Sequence, residues 1–125
     1  MIDDSRTMRS VLGRQLNQLG YDVLQAGDGQ EALDVLEAAG GDLPDVATVD
    51  WNMPVMDGLT FVKTLRQRAE WRTIALMMVT TEAEQGQIVR ALAAGAHEYL
   101  IKPFPPEAFA EKLDLLGLST ARETA

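Results

Sequence analysis

Alternation constrains this chain more than any other feature. Four short apolar runs, residues 22–26 (DVLQA), 45–50 (DVATVD), 74–80 (IALMMVT) and 98–101 (EYLI), are separated by stretches with helical periodicity. The second and third runs are apolar almost throughout, as expected of strands covered on both faces. A first helix is expected over residues 6–19, with Met8, Val11, Leu12, Leu16 and Leu19 on one face and Gly20 as its stop. A second opens at Asp28, with Glu31 three residues on as in a capping box, and carries Ala32, Leu33, Val35 and Leu36 up to Gly40-Gly41. A third follows Asp57-Gly58 and buries Phe61, Val62 and Leu65. A fourth is expected from Thr81, box-like with Glu84, burying Ile88, Val89 and Leu92 and stopping at Gly95. A fifth follows Pro105-Pro106, proline being tolerated in a first turn, and turns Phe109, Leu113 and Leu116 inward.

Strands joined by helix-length crossovers imply a parallel sheet with helices on both faces, an α/β doubly wound architecture. Residues 1–118 read as one domain and 119–125, without pattern, as a loose tail. The 19 acidic residues against 11 basic ones, a net charge of -8, argue against a nucleic-acid surface or docking on anionic lipid. With no cysteine there is no disulfide framework, thiolate metal site or cysteine nucleophile. No apolar run approaches the roughly 20 residues of a membrane span and the N-terminus is acidic, so a soluble intracellular, cytoplasmic domain is expected.

In doubly wound folds chemistry collects at the carboxyl ends of the strands. There stand Asp3 and Asp4 before the first helix, Asp50 closing the second apolar run, Thr80 closing the third, and Lys102 after the fourth. Two like charges about 4 Å apart repel by about 1 kcal/mol in water and by about 4 at an effective dielectric of about 20. A divalent cation relieves such a cluster, and an all-oxygen site with few carboxylates suits Mg²⁺ and a phosphoryl oxygen. An aspartate can itself be the nucleophile, giving an acyl phosphate. The residues thus point to Mg²⁺-dependent phosphoryl transfer onto Asp50.

The motifs IDDSRTMR (2–9), VDWNMPVMDG (49–58), MMVTTEAE (77–84) and AGAHEYLIKPF (94–104), in this order and spacing, resemble response-regulator receiver domains, particularly stand-alone receivers of the CheY type. The resemblance implies a flavodoxin-like, five-stranded parallel sheet in the order 2-1-3-4-5. It assigns Asp50 as phosphoacceptor. The metal ligands it implies are Asp3, Asp4, Asp50 and the backbone carbonyl of Asn52. Thr80 becomes the switch hydroxyl, Lys102 the amine that pairs with the phosphoryl group, and Tyr99 the aromatic that reports the state. It also implies a cis Lys102-Pro103 peptide, a histidine kinase or phosphotransfer protein as donor, and a downstream protein bound by the fourth helix, last strand and fifth helix. Such a domain promotes its own phosphorylation and dephosphorylation and is no enzyme beyond that. Asn52 and Glu82, two residues past Asp50 and Thr80, would set the lifetime of the acyl phosphate.

Plainer roles stand beside these. Asp3 and Asp4 are also good acids for the start of a helix, Thr80 a possible N-cap, and Tyr99 a half-buried core aromatic. Asp57 is expected to shape the turn with Gly58, His97 to be a surface residue, Trp71 to pack, and Met77-Met78 to fill the core. Trp51, beside Asp50, should report the site by fluorescence. Thr81 is β-branched where the family usually has alanine, glycine or serine, which would crowd the phosphoryl pocket.

Only Met1 and Ile2 precede the acidic pair, where receivers carry a longer apolar strand, so the central strand is expected to be truncated. The expected consequence is a marginal fold, a gap filled by another chain's segment, or a natural start further upstream. Two other functions compete: a receiver-like interaction module independent of phosphorylation, and a small aspartate-nucleophile phosphatase. The latter class usually has a second aspartate two residues after the nucleophile, where this chain has Asn52.

Overall fold

The structure is a computed structural model and describes residues 1–117. The tail expected at 119–125 lies outside the described residues, as does Leu118 at the end of the expected domain. Helix α1 spans Arg6–Gln18, α2 Gly29–Ala39, α3 Gly58–Gln67, α4 Gln85–Ala94 and α5 Pro106–Leu115. Strands are β1 (Val46–Val49), β2 (Ala75–Thr80) and β3 (Glu98–Ile101), with a short 3₁₀ turn at Ala69–Trp71.

The helix starts follow from their caps. Ser5 Oγ accepts the Met8 N–H at 3.1 Å, so Ser5 and not the acidic pair caps α1. Asp28 accepts the Glu31 N–H at 2.8 Å, and the Glu31 carboxylate reaches back to the Gly27 N–H at 3.0 Å, a variant of the expected box. Asp57 caps α3 by accepting from Thr60 at 2.8 Å. The fourth helix departs from expectation. It begins at Gln85, not Thr81, and its cap Glu84 makes no side-chain cap bond. Residues 81–84 form a loop in which Glu82 bonds the N–H of Glu84 instead of closing a helical turn. Ala91 is the buried residue of α4, Ile88 is half-buried, and Val89 and Leu92 are exposed. Val11 of α1, also expected inside, is exposed as well.

Strands β1, β2 and β3 pair in that order, all parallel, with Val49 opposite Met78 and Thr80 opposite Ile101. Ile2 makes single parallel bridges to Ala26 on one side and to Val49 on the other. The spatial order is therefore the 22–26 segment, Ile2, β1, β2, β3, the expected 2-1-3-4-5. Two of the five positions are single bridges, and residues 22–25 form no ladder. Successive β2 residues point to opposite faces. Leu76 and Met78 join Leu36, Phe61, Val62, Leu65 and Ala91 from α2, α3 and α4. Met77 and Val79 join Leu12, Leu16, Phe109 and Leu113 from α1 and α5. Met77 and Met78 thus fill the two cores on opposite sides of the sheet, and Trp71 is buried in the first.

Candidate functional site

The carboxyl ends of Ile2, β1, β2 and β3 meet on one rim. Asp50 follows β1; its N–H donates to the Ile2 carbonyl at 2.9 Å and its Oδ1 accepts the Trp51 N–H at 2.7 Å. Gly58 closes on it from the start of α3, its N–H bonding the Trp51 carbonyl at 2.8 Å. A Cβ at Gly58 would lie 2.9 Å from the Asp50 carbonyl carbon and 3.0 Å from the Trp51 Cα, so only glycine permits this approach. Between them the chain folds back through Val55, at φ 66°, with the Met56 N–H donating to the Pro54 carbonyl at 2.7 Å. That three-residue turn holds a β-branched residue in the left-handed region, a strained conformation.

Asp3 is almost wholly buried. Its Oδ1 accepts the Ser5 N–H at 2.8 Å and its Oδ2 takes the Lys102 ammonium at 2.7 Å. The Arg9 guanidinium donates to its carbonyl. Two carboxylate contacts and two backbone bonds, the second from the Asp3 N–H to the Ala26 carbonyl at 3.1 Å, fix it firmly. Asp4 is exposed and uncommitted among the described contacts. Oxygens of Asp3, Asp4 and Asp50 lie within 4.8 Å of one another. The Lys102 ammonium stands 3.5 Å from Asp50 Oδ2 as well, so one positive charge faces three negative ones.

An all-oxygen set with excess negative charge is the donor chemistry that Mg²⁺ takes. Asp3, Asp4 and Asp50 are the residues that could hold such an ion. Because Asp3 is already engaged by Ser5 and Lys102, Asp4 is the freer ligand.

Thr80 ends β2, the strand between β1 and β3, and is completely buried. Its Oγ1 accepts the Glu82 N–H at 3.3 Å and its carbonyl accepts the Lys102 N–H at 2.9 Å. It therefore orders the loop ahead of α4 and is not that helix's cap. The Tyr99 hydroxyl donates to the Glu82 carbonyl at 2.6 Å. Burial, then the negative charges of Glu82 and Asp50, push its pKa up to about 12, so the phenol stays a donor. Asn52 and Thr81 are exposed on the two loops flanking Asp50 and Thr80. The Lys102-Pro103 peptide is cis, as expected.

Several supporting contacts escaped the reading of the sequence. Ser5 and Arg9 brace Asp3, and Gly58 braces Asp50, where the Asp57-Gly58 pair had suggested only a turn. His97 is exposed as expected, yet its Nδ1 accepts the Leu76 N–H at 3.0 Å and faces Arg66 Nη2 at 3.3 Å. Arg66 in turn donates to the Gly95 and Arg72 carbonyls, tying α3 to the entry of β3. Only the Asp-Asp pair and the lone Asp, Thr and Lys carried a signal by type and position.

Comparison with known proteins gives a consistent picture. The family model for the response regulator receiver domain matches residues 1–114. The chemotaxis protein CheY1 of Helicobacter pylori is 41% identical over 117 residues, covering 93% of each chain. A CheY homolog of Campylobacter jejuni is 40% identical over 127 aligned residues, 100% of this chain and 96% of that one. Among solved structures, the chemotaxis response regulator CheY4 of Vibrio cholerae superposes with a TM-score of 0.83 at 36% identity, over 92% of this chain and 93% of that one.

Proposed function

This chain belongs to the response regulator receiver domain family, and on that premise we propose that it is a phosphorylation-controlled switch whose phosphoacceptor is Asp50. The observation that carries the reading is the Asp50 carboxylate lying beside two further carboxylates and 3.5 Å from the Lys102 ammonium. A phosphohistidine of a kinase or phosphotransfer protein is the donor. An Asp50 oxygen forms a bond to phosphorus as the bond from phosphorus to the imidazole nitrogen breaks, and the imidazole leaves with the electron pair and takes up a proton. Mg²⁺ held by Asp3, Asp4, Asp50 and the Asn52 carbonyl would neutralise charge on the attacking carboxylate and the phosphoryl oxygens.

The chain's own groups do the rest. Lys102, now held by Asp3, pairs with the added phosphoryl group. The Thr80 hydroxyl turns from the Glu82 N–H toward it, which loosens the loop that carries the Tyr99 acceptor. Tyr99 thereby couples Asp50 to the face formed by α4, β3 and α5, where Val89, Leu92 and Ile101 are exposed. That face is the proposed contact for a downstream protein. The acyl phosphate then hydrolyses, so the domain is a switch and not a turnover enzyme. Among the described residues no helix is long and apolar enough to cross a membrane, and a cytoplasmic site of action is part of the proposal. The printed roles of the relatives support a chemotaxis pathway.

Trp51 is buried next to Asp50 and provides the test. Its fluorescence should quench on addition of Mg²⁺ and change again with a small acyl phosphate. Asp4→Ala should abolish the Mg²⁺ response and Asp3→Ala should weaken it less. A quench in Asp4→Ala equal to that of the parent refutes the metal assignment.

A further inference from the structure

The strand order leaves residues 22–26 as one outer edge of the sheet. The Ala26 N–H bonds the Met1 carbonyl at 2.9 Å, the Ala26 carbonyl accepts the Asp3 N–H at 3.1 Å, and the Leu24 carbonyl accepts from the Met1 ammonium at 2.9 Å. Leu24 and Ala26 therefore turn their backbone groups inward, and by the alternation of an extended chain Val23 and Gln25 turn theirs outward. Among the described residues those outward N–H and C=O groups have no hydrogen-bond partner. Sheet edges are normally blunted by charge, proline or a bulge. Val23, Leu24, Gln25 and Ala26 supply neither charge nor proline. Val23 packs on the α1 side, against the cluster of Leu12 and Leu16, so Leu24 lies on the opposite face, where it is 54% exposed. Beside the edge on the α1 face runs a groove of about 570 Å³. Arg9 and Arg14 are the charged residues that line it and no carboxylate does, in a chain whose net charge is -8. The Arg9 Nε donates to Gln25 Oε1 at 3.3 Å, while Arg14 has no hydrogen bond or ion pair among the described residues. Nearby carboxylates are turned elsewhere: Glu31 takes the Gly27 N–H at 3.0 Å, and Asp22 lines the cavity on the inner side of the segment.

We propose that this outer edge accepts an extended strand from a partner protein, one that carries two acidic residues at alternate positions with an apolar residue between them. The spacing follows from α1. Arg9 and Arg14 are about 7.5 Å apart along the helix axis at about 1.5 Å per residue, and alternate residues of a strand are about 6.6 Å apart. Two acidic side chains on the α1 face of the guest thus match the two guanidinium groups, one at the level of Gln25 and the other nearer Val23. The residue between them lies on the opposite face beside Leu24, and is therefore apolar. The pattern reads the same in both directions along the edge. The outward groups of Val23 and Gln25 supply main-chain bonds, and the arginines supply selectivity. A second copy of this chain is a poor occupant. Edge-to-edge pairing about a twofold axis joins like faces, so the Arg9–Arg14 groove of each copy would meet that of the other, cation against cation.

The test uses the full chain and an acetylated, amidated pentapeptide of threonine, glutamate, valine, glutamate and threonine. In the free chain the Val23 and Gln25 amides should exchange at nearly unprotected rates, and at saturating peptide they should slow at least fivefold. The same peptide methylated on its three central backbone nitrogens should give no protection, because its ladder donors are gone. A version with lysine for both glutamates should bind at least tenfold more weakly. Arg14→Gln should weaken the glutamate peptide at least threefold and leave a glutamine version unchanged. Slow exchange at Val23 and Gln25 in the free chain would mean that the chain's own residues or a second copy already cover the edge, and overturns the proposal. Unchanged exchange with the peptide, or equal protection by the methylated one, overturns it too. Equal binding of the lysine peptide, or of the glutamate peptide to Arg14→Gln, overturns its acidic pattern.

Discussion

Gly58→Ala should damage both the fold and the site, and the size of the effect can be worked from the contacts. The added methyl would lie 2.9 Å from the Asp50 carbonyl carbon and 3.0 Å from the Trp51 Cα, and closer still to the Asp50 carbonyl oxygen. Carbon atoms pack comfortably at about 3.5–4.0 Å, so the start of α3 and the end of β1 must separate by at least about half an ångström. Neither side yields readily: both are backbone, and the Gly58 N–H is bonded to the Trp51 carbonyl at 2.8 Å. Overpacking of this kind costs about 1–3 kcal/mol, and with two backbones involved the upper half of that range is expected. Urea denaturation reads the loss directly. Because the displaced carbonyl belongs to Asp50, Mg²⁺ affinity read from Trp51 and the rate of labelling by a small acyl phosphate should also fall, misplacement near an ångström costing up to about a hundredfold in rate. Gly86→Ala is the control. It sits in α4 with nothing within 4 Å of a Cβ, and should gain about 0.5–1 kcal/mol from helix propensity with labelling unchanged. Equal stability of the two variants, or parental labelling in Gly58→Ala, would refute the reasoning.

Other consequences follow from single contacts. Lys102→Met leaves Asp3 and Asp50 facing each other without their shared cation, so the metal-free protein should lose about 3 kcal/mol while Mg²⁺ binds more tightly and restores part of it; a loss under about 1 kcal/mol with unchanged Mg²⁺ affinity contradicts this. Burial, then the Arg66 charge, holds the His97 pKa below its ordinary 6.5. The unfolded chain therefore binds the extra proton first, and stability should fall as pH drops below 6.5 and be unaffected above it. His97→Asn keeps an acceptor for the Leu76 N–H and should flatten that dependence; an unaltered pH profile would show that His97 does not set it. Asn52→Met combined with Glu82→Arg should lengthen the life of the acyl phosphate, measured by its decay after donor removal, and faster decay would count against a role for these two loops.

How legible the molecule was in its sequence depended on whether a residue acts locally. The helices α1, α2, α3 and α5 and the strands β1, β2 and β3 were readable because their apolar spacing and their flanking Asp, Gly and Pro residues act within a few positions. The start of α4 was misplaced because Thr81 and Glu84 have the spacing of a capping box, while Thr80 of β2 and Tyr99 of β3 hold the Glu82 loop in another conformation. Residues 22–26 had strand character, but among them only Ala26 forms a bridge, to Ile2. In the site, Asp3, Asp4, Asp50, Thr80 and Lys102 were legible because strand ends are where such groups gather. Their braces were not. Arg9 and Ser5 act on Asp3 through backbone and side-chain bonds that depend on the docking of α1, and the closeness of Gly58 to Asp50 is a tertiary contact that no local pattern announces. Likewise the bond from the Leu76 N–H to His97 spans 21 positions and joins a strand to the turn that enters its neighbour.

The central claim is that Asp50 takes the phosphoryl group in a site completed by Mg²⁺. The direct measurement is intact-mass analysis of the chain and of Asp50→Asn after incubation with a small acyl phosphate, with Mg²⁺ and with chelator. We expect one phosphoryl adduct on the parent, mapped by peptide analysis to Asp50, present with Mg²⁺, lost with chelator, and absent from Asp50→Asn. An adduct of equal yield on Asp50→Asn, or one on the parent that is indifferent to Mg²⁺, would contradict it.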